Sequence, residues 1–369
     1  MSALDLSPQS RDLAQVFDKQ RAAFGQDRFP SLHVRQERLL RLREVLLDGQ
    51  SELLDAVCRD FGHRSLDESR VAEIAGTVAS IDYAIAHLRR WMRARGHSTS
   101  IWFLPANNKV VAQPVGVVGI MAPWNYPVNL ALVPLASALA AGNRVMVKMS
   151  ELSDATSQVL ARLMRQRFSE DEVMVTGGDA QVAESFAALP FAHLLFTGSG
   201  RVGRKVMAAA AKNLTPVTLE LGGKCPALVS DDYSISEAAQ RILWGKTFNA
   251  AQTCVAPDYV MVPRGEARAF VEAMMEQYAH RFPNGALDDS YTSIIDQRNF
   301  DRLTAMVDQA RDAGASIFAA ERPTQTLAAA RKFPLTMVLN APPDSAVMCE
   351  EIFGPVLPVL EYDGLDDAL

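Results

Sequence analysis

The sequence predicts an α/β protein: a doubly wound parallel sheet followed by a second α/β region. Three observations carry this expectation. From Pro114 onward, short apolar runs alternate with helix-length amphipathic stretches, the rhythm of parallel strands joined by crossover helices. Glycines at 198, 200 and 203 follow one of those runs and open a helical stretch. The chain of 369 residues is also longer than one small core requires, which favours two domains.

The elements read in order as follows. Residues 8–26, 31–57 and 67–95 place apolar side chains three or four apart, as at Leu39, Leu40, Leu42, Val45 and Leu46, and are expected as long helices. Gly96 breaks that pattern. Residues 98–112 read as a hairpin of two short strands around a Pro-Ala-Asn-Asn turn. Strands are then expected at 115–122, 144–148, 173–176, 193–196 and 215–219, with helices at 127–141, 154–168, 179–188 and 201–212 between them. This is a nucleotide-binding type of architecture. A second alternating region has helices at 234–249, 265–282 and 297–313 and strands at 258–263, 315–319 and 335–339. No internal repeat or low-complexity linker interrupts it.

Composition excludes several function classes. The formal charge of -6 gains nothing from counterion release on a phosphate backbone, so no nucleic-acid partner is expected. The basic runs at 35–43 and 89–95 read as solvated helix faces, a nucleic-acid or membrane-surface patch being the alternative. Four cysteines, none in a C-x-x-C pair, do not make a disulfide framework. The N-terminus has no apolar signal core. The longest apolar stretch, 128–142, is shorter than the roughly 20 residues a membrane span needs and contains Pro134. A cytoplasmic protein without a membrane span is expected. The six histidines show no ligand spacing, so no metal site is expected.

Five segments could carry chemistry. Gly198-Ser199-Gly200-Arg201-Val202-Gly203 fits G-x-G-x-x-G in a strand–turn–helix setting, where a helix N-terminus attracts phosphate. The generic rule would then place Glu220 on a ribose. Glu220-Leu221-Gly222-Gly223-Lys224 has a second reading, a carboxylate on flexible glycines that can swing toward a substrate, or else an ordinary surface turn. Cys254 sits among small and polar residues in Asn249-Ala250-Ala251-Gln252-Thr253-Cys254; it is either a reactive thiol or a buried inert one. Asn125 lies between Pro123 and Pro127 and is either a fixed amide donor suited to an oxyanion or part of a strand-ending turn. Glu350-Glu351-Ile352-Phe353-Gly354-Pro355 is either functional or a solvated loop.

Together these segments resemble the aldehyde dehydrogenase superfamily. P-W-N-Y-P, V-K-x-S-E, F-T-G-S, E-L-G-G-K, Q-T-C and E-E-I-F-G-P occur in that family's order, and the similarity runs from about residue 20 to the end. The Q-T-C-V-A-P-D-Y form is similar to the branch handling aromatic and long-chain aldehydes, and F-G-H-R-S at 61–65 to bacterial coniferyl aldehyde dehydrogenases. The resemblance implies a dinucleotide-binding domain at 1–96 and 113–222, an oligomerisation hairpin at 97–112 and a catalytic domain at 223–369. It implies Cys254 as nucleophile, Glu220 as general base, and Asn125 with the Cys254 N–H as the oxyanion hole. Lys148 and Glu151 would contact the adenosine ribose of NAD, with NADP as the alternative cofactor. Gly198 and Ser199, with Gly203 in the same loop, would lie by its phosphates and nicotinamide side. Glu351 would hold the nicotinamide ribose and Phe353 would pack near the nicotinamide. The hairpin suggests a homodimer through an added edge strand. Two departures stand out: Met149 replaces a frequent proline, and the family normally continues past residue 369, so an incomplete C-terminus is expected. Two alternatives accompany this reading. One is a catalytically silent scaffold or assembly partner. The other is a CoA-acylating relative, against which the retained Glu220 argues for water as acyl acceptor.

Overall fold

A computed structural model describes residues 8–368; residues 1–7 and Leu369, which the sequence assigns to the domain ends, lie outside the described residues. Strands are β1 (Arg95–His97), β2 (Asn108–Val110), β3 (Val117–Met121), β4 (Arg144–Lys148), β5 (Val173–Thr176), β6 (His193–Gly198), β7 (Val217–Leu221), β8 (Pro226–Leu228), β9 (Tyr259–Pro263), β10 (Ser316–Ala319), β11 (Thr336–Leu339) and β12 (Val356–Tyr362). The chain divides into two compact units, one comprising residues up to Ala56 and Arg70–Glu220, the other Val57–Ser69 and the chain from Leu221 on.

The first unit holds a sheet of order β5-β4-β3-β6-β7. β3 pairs in parallel with β4 and β6, and β4 with β5. The N–H of Leu194 donates to Pro216 O at the start of β6 and β7, so these two also run side by side. β3 and β4 are buried throughout, as a parallel sheet covered on both faces demands. On one face, Leu13, Val16 and Phe17 from the helix Pro8–Gln26 pack with Phe186 and Phe191, and the Phe17 and Phe191 rings meet edge to face at 5.5 Å. The helices Asn129–Ala140 and Asp154–Arg167 cover the other face. The expected doubly wound sheet is present.

Two long helices expected from periodicity are interrupted. Residues 31–57 form Leu32–Asp48 and Gln50–Phe61, because Gly49 ends the first by donating to Val45 O at 3.1 Å. A side chain there would strike Leu163. Residues 67–95 form Leu66–Ser69, a π-helical turn Arg70–Ala75 and Gly76–Trp91. The hairpin is real but displaced. β1 begins at Arg95 and pairs antiparallel with β2, and the connection contains a 3₁₀ turn Ile101–Phe103 in place of a tight turn.

The second unit is built on the order β10-β11-β12-β9-β8. β10 is antiparallel to β11 and the other pairs are parallel. Its core gathers Phe270, Met274 and Tyr278 from the helix Ala267–Arg281, and Phe282 just beyond it, against Val260, Val262 and Leu357. Residues 57–69 group with this unit, not with the dinucleotide-binding domain suggested by the sequence. The reason is local: Ser293 N–H donates to His63 O, and Arg331 to Phe61 O.

Gly119 in the middle of β3 leaves no room for a methyl group; a Cβ would lie 2.6 Å from the Phe191 ring and 2.8 Å from Leu194. Both neighbours are buried. Gly119→Ala should therefore cost about 1–3 kcal/mol through overpacking, measured as a lower urea midpoint at unchanged slope.

Candidate active site

Doubly wound sheets bind ligands beyond the C-terminal ends of their strands, where strand order reverses. In the first unit that reversal lies between β3 and β6. The chain leaving β3 is the Pro123-Trp124-Asn125-Tyr126-Pro127 segment, and the chain leaving β6 is Gly198-Ser199. Lys148 ends β4, with Glu151 beyond it, and Glu220 lies near the end of β7. The fold thus gathers Asn125, Lys148, Glu151, Gly198, Ser199, Gly203 and Glu220 along one edge of one sheet.

Asn125 is 4% exposed. The helix that follows, Asn129–Ala140, has no side-chain cap of its own. Glu73, on the π-helical turn, supplies one: its carboxylate accepts the N–H groups of Val128 at 3.1 Å and Asn129 at 2.8 Å. A negative charge at a helix N-terminus is favourable, and the bonds fix the chain just after Asn125. Lys148 is buried, its Nζ bonded to Met149 O at 2.6 Å and Gly178 O at 2.7 Å. Burial lowers its pKa, and the nearby charges of Glu151 and Asp179 partly restore it. Glu151 itself is exposed. Ser199 caps the helix Gly200–Ala211 by accepting the Val202 N–H at 3.4 Å. At Gly198 a Cβ would lie 2.6 Å from the Phe196 ring, and Gly203 is buried. Glu220 is exposed.

In the second unit, Cys254 follows a run that few sequences adopt. Asn249, Ala250 and Ala251 all have positive φ, at 52°, 49° and 56°, where Cβ crowds the backbone. Gln252, fully buried, braces the turn. Its Nε2 donates to Asn249 O and Ser293 O, both at 3.0 Å, and its Oε1 accepts the Ile295 N–H at 2.9 Å. The Cys254 thiol is half-buried. Burial pushes its pKa up, and Glu351 and Cys225 add to this; the N–H groups of Cys254 and Val255 face the sulfur and oppose it. Cys225 donates from Sγ to Cys254 O at 3.3 Å.

Asp258, four residues on, joins the remaining motifs. One of its oxygens receives Lys224 Nζ at 2.5 Å and the other the Ile352 N–H at 2.9 Å. Lys224 also donates to Val347 O and Glu350 O, and Arg302 to Ile352 O at 2.7 Å. Glu351 lies against Gly222, where any Cβ would collide with the carboxylate, and it accepts the Gly223 N–H. Burial, reinforced by Asp258, raises the Glu351 pKa. Its Oε1 is buried without a hydrogen-bond partner. Phe353 also takes positive φ, at 50°. Cys254, Glu351 and the Gly222-Gly223 turn are thus brought together in this unit.

The sequence matches the model of the aldehyde dehydrogenase family over residues 7–369. The chain belongs to the aldehyde dehydrogenase family. It is 46% identical to a probable coniferyl aldehyde dehydrogenase of Pseudomonas aeruginosa, covering 97% of this chain and 74% of that protein. It is 41% identical to a coniferyl aldehyde dehydrogenase of a Pseudomonas species, covering 98% and 75%. A solved structure, the substrate-bound state of Staphylococcus aureus AldH, superposes with a TM-score of 0.90 at 33% identity, covering 96% of this chain and 76% of that one. Among the described residues, no cluster of three His, Cys, Asp or Glu side chains could hold a metal ion, and no helix is long and apolar enough to cross a membrane.

The sequence offers no signal for Glu73 or Lys246, and gives Gln252 and Asp258 only as members of the Q-T-C-V-A-P-D-Y form, without a role. Only tertiary partners reveal the work of these four residues. Lys246 is 1% exposed and donates to Pro257 O at 2.8 Å; burial lowers its pKa to about 7.

Two outcomes follow from these charges. Glu351→Gln removes a negative charge near Cys254, so alkylation of Cys254 by iodoacetamide at pH 8 should quicken by about threefold, read by peptide mass. For Lys246 the folded pKa lies below the ordinary lysine value of 10.5. Between about pH 7 and that value the unfolded chain holds a proton that the native state lacks, so this group makes stability rise with pH. Lys246→Met should flatten the slope of denaturation midpoint against pH across that window.

Proposed function

We propose that this chain oxidises an aldehyde to its carboxylic acid through a thiohemiacetal and a thioester on Cys254, with NAD as cofactor and NADP as the alternative. The observation that carries the reading is the pairing, within one unit, of the half-buried Cys254 thiol with Glu351, whose buried Oε1 has no partner. An unsatisfied carboxylate oxygen against a glycine cradle fits a sugar hydroxyl, because burial leaves such an atom in want of a donor.

In this scheme Lys148, Glu151, Gly198, Ser199 and Gly203 of the first unit would hold the dinucleotide, and the second unit carries the nucleophile. Glu351 would hold a hydroxyl of the nicotinamide ribose, and Phe353 would pack near the nicotinamide. Cys254 Sγ gives its proton to solvent and attacks the carbonyl carbon as the thiolate, forming the C–S bond as the carbonyl π electrons move to oxygen. The Asn125 amide and the Cys254 N–H donate to the oxygen as it becomes an alkoxide. The tetrahedral carbon then releases hydride, for which a bound nicotinamide supplies the acceptor. Glu220 takes a proton from the water that attacks the resulting thioester, and the acid leaves as the thiol re-forms.

An aromatic aldehyde such as coniferyl aldehyde is the favoured substrate. The relatives named for that substrate support this, as do Trp244 and Phe248, whose rings lie 5.0 Å apart on the segment leading into the Cys254 turn. Trp244 is 52% exposed, leaving a flat apolar face free. Homodimerisation through the β1–β2 hairpin is supported by Ile101, Trp102 and Phe103, all more than two-thirds exposed, a grouping that a lone subunit rarely leaves in water.

Cys254→Ala should abolish NADH formation from coniferyl aldehyde while leaving NAD binding intact by fluorescence titration; a variant that still turns over ends the reading. Glu220→Gln should retain a stoichiometric burst of NADH and lose steady-state turnover. Asn125→Ala should lower kcat by about two to three decades, the usual loss of one oxyanion donor.

A further inference from the structure

The left-handed run ahead of Cys254 needs something to hold it from outside. Three consecutive non-glycine residues at positive φ relax unless their surroundings over-determine them. Gln252 is one brace, but it belongs to the same loop. A brace from elsewhere in the chain is Glu68, on the short helix Leu66–Ser69. It is 8% exposed, and its Oε2 accepts both the Asn249 N–H at 3.0 Å and the Thr292 hydroxyl at 2.9 Å. Thr292 in turn accepts the Ser65 N–H, and Ser65 Oγ accepts the Glu68 N–H. The contact is with the first of the three left-handed residues. Arg64, Arg281 and Lys332 are the cations around this carboxylate.

We propose that Glu68 is a positioning residue for Cys254: by fixing the Asn249 N–H it holds the turn that aims the N–H groups of Cys254 and Val255 at the sulfur. This assignment rests on Cys254 as the nucleophile, which Cys254→Ala tests separately. The physical logic is simple. Those two N–H groups favour the thiolate. If the turn relaxes, they leave the sulfur, and the thiolate becomes harder to form while Glu351 and Cys225 still disfavour it.

Reach and charge can be separated. Glu68→Gln keeps the reach; an amide oxygen in the place of Oε2 accepts both the Asn249 N–H and the Thr292 hydroxyl. Glu68→Asp keeps the charge but withdraws the oxygen by one methylene. The experiment follows iodoacetamide alkylation of Cys254 by peptide mass against pH on the full chain, at a temperature where circular dichroism shows both variants folded. Glu68→Gln is expected to stay within about twofold of the parent, and Glu68→Asp to slow alkylation by about tenfold, with its profile moved to higher pH and kcat lowered in parallel at unchanged KM for NAD. Equal alkylation in parent and both variants, with only the melting temperature lowered, would make Glu68 a purely structural acid and overturn the proposal. The reverse order, Gln slower than Asp, would overturn it in favour of a charge effect. The alkylation readout does not require turnover, so it fails or succeeds independently of the proposed reaction.

Discussion

The ion pair between Lys224 and Asp258 is the constraint on which the second unit's site depends. Asp258 is 4% exposed, and burying a charge pair is not a strong source of stability, because desolvation offsets much of the attraction. Its effect is placement. Asp258 binds Lys224 with one oxygen and the Ile352 N–H with the other, while Lys224 reaches Val347 O and Glu350 O. Three segments far apart in the chain, the Gly222-Gly223 turn, the Cys254 loop and the Glu351 loop, are locked into one constellation. Without that link the Glu351 loop would rest on the Gly223 N–H and on Arg302, which donates to Ile352 O at 2.7 Å.

The same economy governs the Cys254 loop. A buried loop takes its N–H and C=O groups out of water, and each needs a new partner. Here side chains provide them. Gln252 bonds three backbone groups, Lys246 bonds Pro257 O and Asn249 bonds Gln252 O. Glu73 does the equivalent work for the start of the helix after Asn125. Polar residues that look idle in the sequence are therefore the ones that set the backbone on which the named motifs sit.

That explains what could be read in advance. The first sheet was legible because β3 to β7 are short apolar runs separated by clean helical periods, an alternation that calls for a parallel sheet with crossover helices; its strand order was not. β12 was not, although it is central to the second sheet. Pro358 in its middle argues against a central strand. The structure tolerates it because β12 meets β9 only from Val359 onward, so Pro358 faces a ladder on the β11 side alone. β8 opens on Pro226 at a sheet edge, where a missing N–H costs little, and is too short to register as a period. At the site, Cys254, Asn125 and Glu220 could be singled out because their neighbours are distinctive. Glu68 could not, because a carboxylate in a polar stretch reads as surface until its partner 181 residues away is known. Asp258 stands within the Q-T-C-V-A-P-D-Y form, but its role depends on Ile352, 94 residues away.

Glu351 shows why a raised thiol pKa is compatible with the nucleophilic role proposed for Cys254. Its carboxylate adds to burial in disfavouring the Cys254 thiolate, the more reactive form of the sulfur. The same carboxylate holds an unsatisfied oxygen. Coupling between two groups is reciprocal: whatever disperses the negative charge of Glu351 must also make the thiolate easier to form. A hydroxyl donating to Oε1 disperses charge in this way, and a cation arriving nearby does so more strongly. The unpaired oxygen and the suppressed thiol are thus two sides of one electrostatic arrangement. It leaves Cys254 quiet until the neighbouring carboxylate has found its donor.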